Sequence, residues 1–339
     1  MDSINSWVWL PDRCGGQPIP RIDPAAFLGS MRGRKIGFVG DSLNENFLVA
    51  LLCTLRSADG GAKKWKRKGA WRGGYFPKFD AVVAYHRAVL LAKYTWQPVD
   101  NSAHLGQDGV KGTYKVDIDV PADDWANVTK FYDVLIFNTG HWWGADKFPN
   151  ETPLVFYQGG KPIDPPLGII DGLEVVLNSM ISYIEKEVPE KTLKFWRTQS
   201  PRHFFGGDWD HNGSCLFSEP LKETELDSWF DPKHKGVNKE AREVNSLIQQ
   251  ALLALRFACV ISNPMVYTIV VLSSHNYVSR SMHQSLEGLG PSRRTGAHAA
   301  TGPLCSQPVL HHPLRNNLAQ DIMVSSIRYE ATMCCVAAE

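Results

Sequence analysis

Apolar residues in this chain fall into short unbroken runs that alternate with stretches of helical spacing. Residues 35–39 (Lys-Ile-Gly-Phe-Val) form one run, which ends in Gly40-Asp41-Ser42. From Leu43 to Leu55, Phe47, Leu51 and Leu55 recur at helical spacing, so the pattern predicts strand, tight turn, helix. Residues 82–94 predict one or two strands through Val82, Val83, Val89, Leu90 and Leu91. Residues 133–137 predict a buried strand ending in Asn138-Thr139-Gly140-His141. Over 169–188, Leu173, Val176, Met180, Ile184 and Val188 share one helical face, and Pro189 marks the end. Residues 193–196 predict a strand ending in Arg197-Thr198-Gln199-Ser200. A further helix is expected over about 239–255, with Val244, Ile248, Leu252 and Leu255 aligned.

This order of strands and helices indicates an α/β fold with a largely parallel sheet. In such sheets ligands bind beyond the carboxyl ends of the strands. Ser42, Asn138 and the Arg197–Ser200 group are therefore expected to face one crevice. The longest apolar stretch, Ala251 to Leu272, is interrupted by Arg256, Asn263 and Pro264. It reads as a helix end followed by one or two buried strands rather than a membrane span. From about residue 274 the composition turns to Ser, His, Arg and Gly, with His275, His283, His298, His311 and His312 among them. Their irregular spacing, without carboxylates, predicts a poorly ordered tail rather than a metal tract. The expected division is a domain over 1–255 and a divergent tail over 256–339. There are no internal repeats.

Hydrophobic residues make up 43% of the 339 and charged residues 21%, enough for a packed core and too apolar for wholesale disorder. The 36 Lys+Arg against 35 Asp+Glu argue against a general nucleic-acid binder. Seven cysteines, none in C-x-x-C, give neither a disulfide-dense scaffold nor a zinc site. Sequons stand at Asn127, Asn150 and Asn212, the second weakened by Pro153 after Thr152. Asn127 and Asn212 are thus the glycosylation candidates. The first residues, MDSINSWVWLPDRC, contain no apolar signal-peptide core. The chain as given reads as soluble, or as separated from its targeting segment.

A serine on a sharp strand-to-helix turn exposes its hydroxyl beside backbone N–H groups and the positive helix end, so Ser42 is the candidate nucleophile. Asp41 suits a capping or turn role. Asn138 can donate to an oxyanion or close an Asx-turn. His141 can bind substrate or satisfy a polar network, and Trp142 or Trp143 can serve as a sugar platform or as core. The 197–210 segment, RTQSPRHFFGGDWD, concentrates Arg197, Arg202, His203, Asp208, Trp209 and Asp210 around a Gly-Gly turn.

Three motifs in order resemble one family: GFVGDSL with the LLC that follows, DVLIFNTGHWW, and RTQSPRHF with GGDWD-x-x-G-S-C. They look like the plant trichome birefringence-like family, polysaccharide O-acetyltransferases of the SGNH/GDSL-esterase type. The opening SWVWLPDRC, LVFYQGGKPI (154–163) and GVNKEAREVN (236–245) extend the resemblance from residue 6 to about 255. It implies a three-layer SGNH-like fold with a mostly parallel sheet, incomplete at its C-terminus. It also implies acetyl transfer to hydroxyls of a cell-wall polysaccharide such as xylan, in the Golgi. Ser42 matches the nucleophile and Asn138 an oxyanion-hole residue. Asp41, His141, Trp142, Arg197, Gln199, Arg202 and His203 would contact substrate. The implied partners are a polysaccharide acceptor and an acetyl donor, with no bound cofactor, no metal and no nucleic acid. Membrane attachment would come only through an N-terminal anchor upstream of the matched segments.

The chain departs from the family at one point. The family carries its triad Asp and His in D-x-x-H near the C-terminus, followed by W-C-L-P-G. Here Asp321 is the only Asp beyond Asp231, and no His follows it. The Asp208–His211 D-x-x-H lies inside another family motif and does not inherit the role. The triad Asp and His are thus not identifiable. Two accounts fit: a tail produced by a shifted reading frame or retained intron, or a genuine paralogue that lacks its base. Two other activities stay open, a carbohydrate acetyl esterase and a non-catalytic glycan binder.

Overall fold

Unbroken apolar runs become strands buried on both faces, and the periodic stretches become the helices that cover them. The computed structural model describes residues 22–66, 72–99, 109–199, 212, 240–254 and 269–272. A short helix α1 (Pro24–Ser30), capped by Asp23, leads into β1 (Lys35–Gly40) and helix α2 (Ser42–Leu55). Strands β2 (Lys63–Lys66), β3 (Arg72–Phe76), β4 (Ala81–Arg87), β5 (Ala92–Pro98) and β6 (Gly112–Pro121) follow. Next come a single turn α3 (Asp123–Ala126), β7 (Val134–Phe137), β8 (Leu154–Gln158) and the two-residue β9 (Lys161–Pro162). Helix α4 (Ile169–Glu187), β10 (Leu193–Arg197), α5 (Glu240–Ala254) and β11 (Ile269–Leu272) complete the described elements.

Seven strands form the main sheet in the order β11-β10-β7-β1-β4-β3-β2. Its centre is parallel: β1 pairs with β4 and β7, and β7 with β10. The edges are antiparallel, through the β2–β3–β4 meander on one side and β11 on the other. A second sheet of four strands runs β5-β6-β8-β9. The expected α/β class is what the structure shows, with a main sheet that is parallel at its centre and antiparallel in three of its six pairings, at the edges. The 82–94 segment resolves into β4 and the start of β5, which belong to different sheets because the chain leaves the main sheet at Ala88–Leu91.

Strand alternation assigns the core to two faces. Ile36, Phe38, Val83, Tyr85, Val134, Ile136 and Phe195 pack with Phe27, Leu28, Phe47, Leu51 and Leu55 of α1 and α2. Val39, Leu135, Phe137 and Trp196 turn the other way, against Leu173, Val176, Met180 and Ile184 of α4 and Val244 and Ile248 of α5. Val116, Ile118, Leu154 and Phe156 of the second sheet join that face. Helices therefore cover both sides of the sheet, and each fully buried Phe, Leu or Ile contributes roughly 2 kcal/mol of burial. No described helix is long and apolar enough to cross a membrane.

Candidate active site

The carboxyl ends of β1, β4, β7 and β10 lie side by side, because the four strands are parallel neighbours. Gly40 ends β1 with φ of 147°, and a Cβ there would collide with the Asn138 side chain. Glycine is required at this close approach, and the chain turns there at once into α2. Asp41 is the helix cap, in extended backbone.

Asp41 is fully buried, with its carboxylate committed to three donors. Oδ1 accepts from the Leu43 N–H at 2.9 Å and from Asn138 Nδ2 at 2.7 Å. Oδ2 accepts from the His141 N–H at 3.3 Å. The Asp41 N–H donates in return to Asn138 Oδ1 at 3.2 Å. The amide of Asn138, also fully buried, is therefore oriented by one carboxylate and one N–H. Two further residues brace the corner. Asn44 Nδ2 donates to the carbonyls of Val39 and Ile136, at 3.1 Å each. The Tyr85 hydroxyl is shared between the carbonyls of Gly40 and Asp41, at 3.0 and 3.1 Å. Burial, and then the nearby Asp41 carboxylate, push the Tyr85 phenol far up, so it stays a donor.

Ser42 stands at the first position of α2, partly exposed. Its N–H is among the orphan donors of a helix start, and no acceptor meets it among the described residues. No described side chain hydrogen-bonds its Oγ either. The corner therefore presents a hydroxyl beside an open N–H at the positive end of a helix, an arrangement suited to developing negative charge.

The rest of the crevice rim comes from the neighbouring strand ends. Arg87, opposite Gly40 in the register, places its guanidinium 5.3 Å from the centre of the Trp142 ring. Trp142 and His141 are half-buried, whereas Trp143 is core. Trp143 stacks on Phe156 and donates Nε1–H to Thr139 Oγ1 at 2.8 Å, and Thr139 donates to the Val89 carbonyl. The structure thus separates the two adjacent tryptophans: only Trp142 offers surface. On the far side Arg197 and Gln199 are buried. Asn245 of α5 clasps the Gln199 backbone, accepting from its N–H at 2.9 Å and donating to its carbonyl at 2.8 Å. The Gln199 side-chain amide lies against Gly140, with neither polar atom hydrogen-bonded among the described residues.

Ser42, Asn138, Asp41, His141, Trp142, Arg197 and Gln199 all sit at this carboxyl edge. Arg202 and His203 lie outside the described residues, as do Asp208, Trp209 and Asp210. Of the sequon residues, Asn127 is exposed beyond α3, and Asn212 is exposed with φ of 58°.

The family profile of PC-esterases, GDSL/SGNH-like acyl-esterases found in Pmr5 and Cas1p, matches residues 19–258. The chain belongs to that family. It is 68% identical to protein trichome birefringence-like 12 of Arabidopsis thaliana over 74% of its own length and 61% of the relative's. It is 44% identical to trichome birefringence-like 13 of the same plant over 74% of its length and 60% of the relative's. Xyloglucan O-acetyltransferase 3 of Populus trichocarpa is 30% identical over 66% of this chain and 55% of that protein. The chain thus spans about three fifths of the length of the curated relatives that it matches best among these.

Three members of this PC-esterase corner escape a reading by motif. Asn44 is a polar residue on the core side of α2. Tyr85 and Arg87 are the hydroxyl and the charge at the carboxyl end of β4, on either side of His86. A polar side chain at the carboxyl end of a parallel strand is the signal that could have found Tyr85 and Arg87.

Proposed function

We propose that the chain acts as a polysaccharide O-acetyltransferase, with Ser42 as the nucleophile. The observation that carries this reading is the Ser42 hydroxyl on the Gly40-Asp41 turn, beside its own N–H at the start of α2, which has no acceptor among the described residues. In the first step Ser42 Oγ attacks the acetyl carbonyl of the donor. The donor's leaving group departs with the proton that Oγ gives up, and an acetyl-serine ester remains. In the second step a sugar hydroxyl attacks that ester, its proton returns to Ser42 Oγ, and the sugar is left acetylated. Each tetrahedral intermediate carries its negative oxygen where the Ser42 N–H and the α2 dipole favour it. Asn138 lends its second Nδ2 hydrogen to the same oxygen, and Asp41 holds that amide in place. Trp142 and Arg87 support the acceptor sugar, the ring by stacking and the guanidinium by donating to hydroxyls. The residue that takes the proton from Ser42 Oγ is not among the described side chains within hydrogen-bonding distance.

The acceptor we infer is a neutral wall polysaccharide such as xylan. The relatives named xyloglucan O-acetyltransferases support acceptors of this class. The setting we infer is the Golgi lumen. The test is acetyl transfer to xylan and xyloglucan oligosaccharides, read by mass. Ser42→Ala is expected to lower the rate by on the order of 10³-fold or more while leaving the fold intact. Undiminished transfer by Ser42→Ala would sink the proposal. Because the family is one of acyl-esterases, release of acetate from acetylated xylan without transfer would point instead to hydrolysis.

A further inference from the structure

An aromatic strip leads away from the Ser42 corner. Arg87, the register partner of Gly40, lies over Trp142. The Trp142 ring meets Phe148 at 6.2 Å between centroids, Phe148 meets Tyr114 at 5.3 Å, and Tyr114 meets Trp96 at 4.8 Å. Phe148 is buried and acts as the brace, while Trp142 and Tyr114 are part-exposed. Trp96, at the far end, is 43% exposed, an unusual surface for so large an apolar side chain. Its position is built rather than incidental. Gly112 lies beneath it, and a Cβ at 112 would stand 2.5 Å from two carbons of the indole. The same Cβ would stand 2.6 Å from the Gln97 carbonyl oxygen, so glycine is what allows both the indole and the neighbouring strand to come this close.

Strand alternation explains why the β5–β6 end of the strip, beyond Arg87, is uncharged. Tyr94, Trp96 and Pro98 share a face with Val116, Tyr114 and Gly112, their cross-strand partners. Lys93, Thr95, Lys115 and Asp117 pair on the opposite face, where Lys115 and Asp117 form an ion pair at 2.8 Å. Among the described residues, a charged peptide or a nucleic acid finds no charged partner on the β5–β6 part of this face. A pyranose chain needs none: its C–H faces stack on the rings, and its hydroxyls stay in water.

We propose that Trp96 and Tyr114 form a distal sugar subsite, continuous with the Arg87–Trp142 platform, for the main chain of a neutral polysaccharide whose reactive residue lies at Ser42. This deepens the acetyltransferase reading and rests on it for the position of the reactive sugar. The ladder makes length the readout: a short acceptor reaches Trp142 only, and a long one reaches Trp96 as well.

The test uses the full chain and xylan oligosaccharides from disaccharide to hexasaccharide, with binding followed by calorimetry. Trp96→Ala is expected to weaken the hexasaccharide about tenfold and to leave the disaccharide unchanged, and Trp96→Phe to restore most of the loss. Equal affinity of wild type and Trp96→Ala for the hexasaccharide overturns the subsite. So does failure of any oligosaccharide to bind, or a change of oligomeric state in Trp96→Ala, which would make the strip a protein contact. The two readings fail separately. Length-dependent binding without acetyl transfer keeps the subsite and removes the reaction. Transfer that gains nothing from acceptor length, in either protein, keeps the reaction and removes the subsite.

Discussion

At the carboxyl end of β1 and β7, Asp41 and Asn138 are wholly buried and every bond is directional. At the edge of β5 and β6, Trp96 is 43% exposed and its indole meets the Tyr114 ring at a 54° tilt, by apolar contact. Both regions face the same proposed ligand, and their physics differs. Buried polar groups are costly to leave unpaired, so the first region tolerates one arrangement. Ring contacts are tolerant of small shifts, so the second can accept a repeating chain in several registers. Chemistry belongs where geometry is fixed, and polymer binding belongs where it is not.

The strongest way to break this contrast is Asp41→Ala. It removes the cap of α2 and takes the carboxylate acceptor away from the buried Asn138 amide. The expected loss is about 3–4 kcal/mol, measured as a lower urea midpoint. A midpoint close to wild type would mean that the corner is held by packing and not by the carboxylate.

A second expectation concerns pH. His86, on β4 behind the corner, is buried and bonded through Nε2 to the Tyr132 hydroxyl at 2.6 Å. Burial lowers its pKa from 6.5 to about 4. Above 6.5 the ring is neutral in the folded and unfolded chains and costs nothing. As pH falls from 6.5 towards 4, the unfolded chain takes the proton first. Stability is therefore lost across that window, by at most ~3 kcal/mol. The urea midpoint of wild type should fall more steeply than that of His86→Gln between these pH values. Parallel curves would remove His86 as the cause.

The smallest effect sharpens the contrast from the other side. Trp96→Ala should change stability by no more than ~1 kcal/mol, because nearly half of the side chain already meets water. A thermal midpoint depressed as far as that of Asp41→Ala would make Trp96 a core residue and not a surface one.

The main sheet was legible because its strands announce themselves twice. Phe38–Val39, Val134–Phe137 and Phe195–Trp196 are apolar on both faces, and each run stops at a polar residue. The same stops marked Ser42, Asn138 and Arg197. Helices 42–55, 169–187 and 240–254 follow from spacing alone. The second sheet was hidden for a physical reason. Its strands are half-exposed, so β6 alternates Tyr114, Val116 and Ile118 with Lys115, Asp117 and Asp119, a signal that a search for unbroken runs passes over. Strand β3 carries Gly73 and Gly74, which mask it as a turn. The site was legible residue by residue but not as a network. That Asp41 grips Asn138, or that Arg87 reaches Trp142, depends on strand order, which a linear pattern does not contain.

Asp41 and Asn138 are separated by 97 positions in the chain. Closing a loop of that length costs about 4 kcal/mol of chain entropy beyond a constant, before any contact repays it. No local segment can hold this corner by itself: the turn after β1 is made early, and its partner arrives only when β7 docks beside it. During synthesis, the nascent chain carries Ser42 on an unfinished turn until almost a hundred further residues have emerged. The reactive hydroxyl thus acquires its surroundings in one cooperative event, late in assembly, and a chain stalled before β7 carries the G-D-S motif without the site.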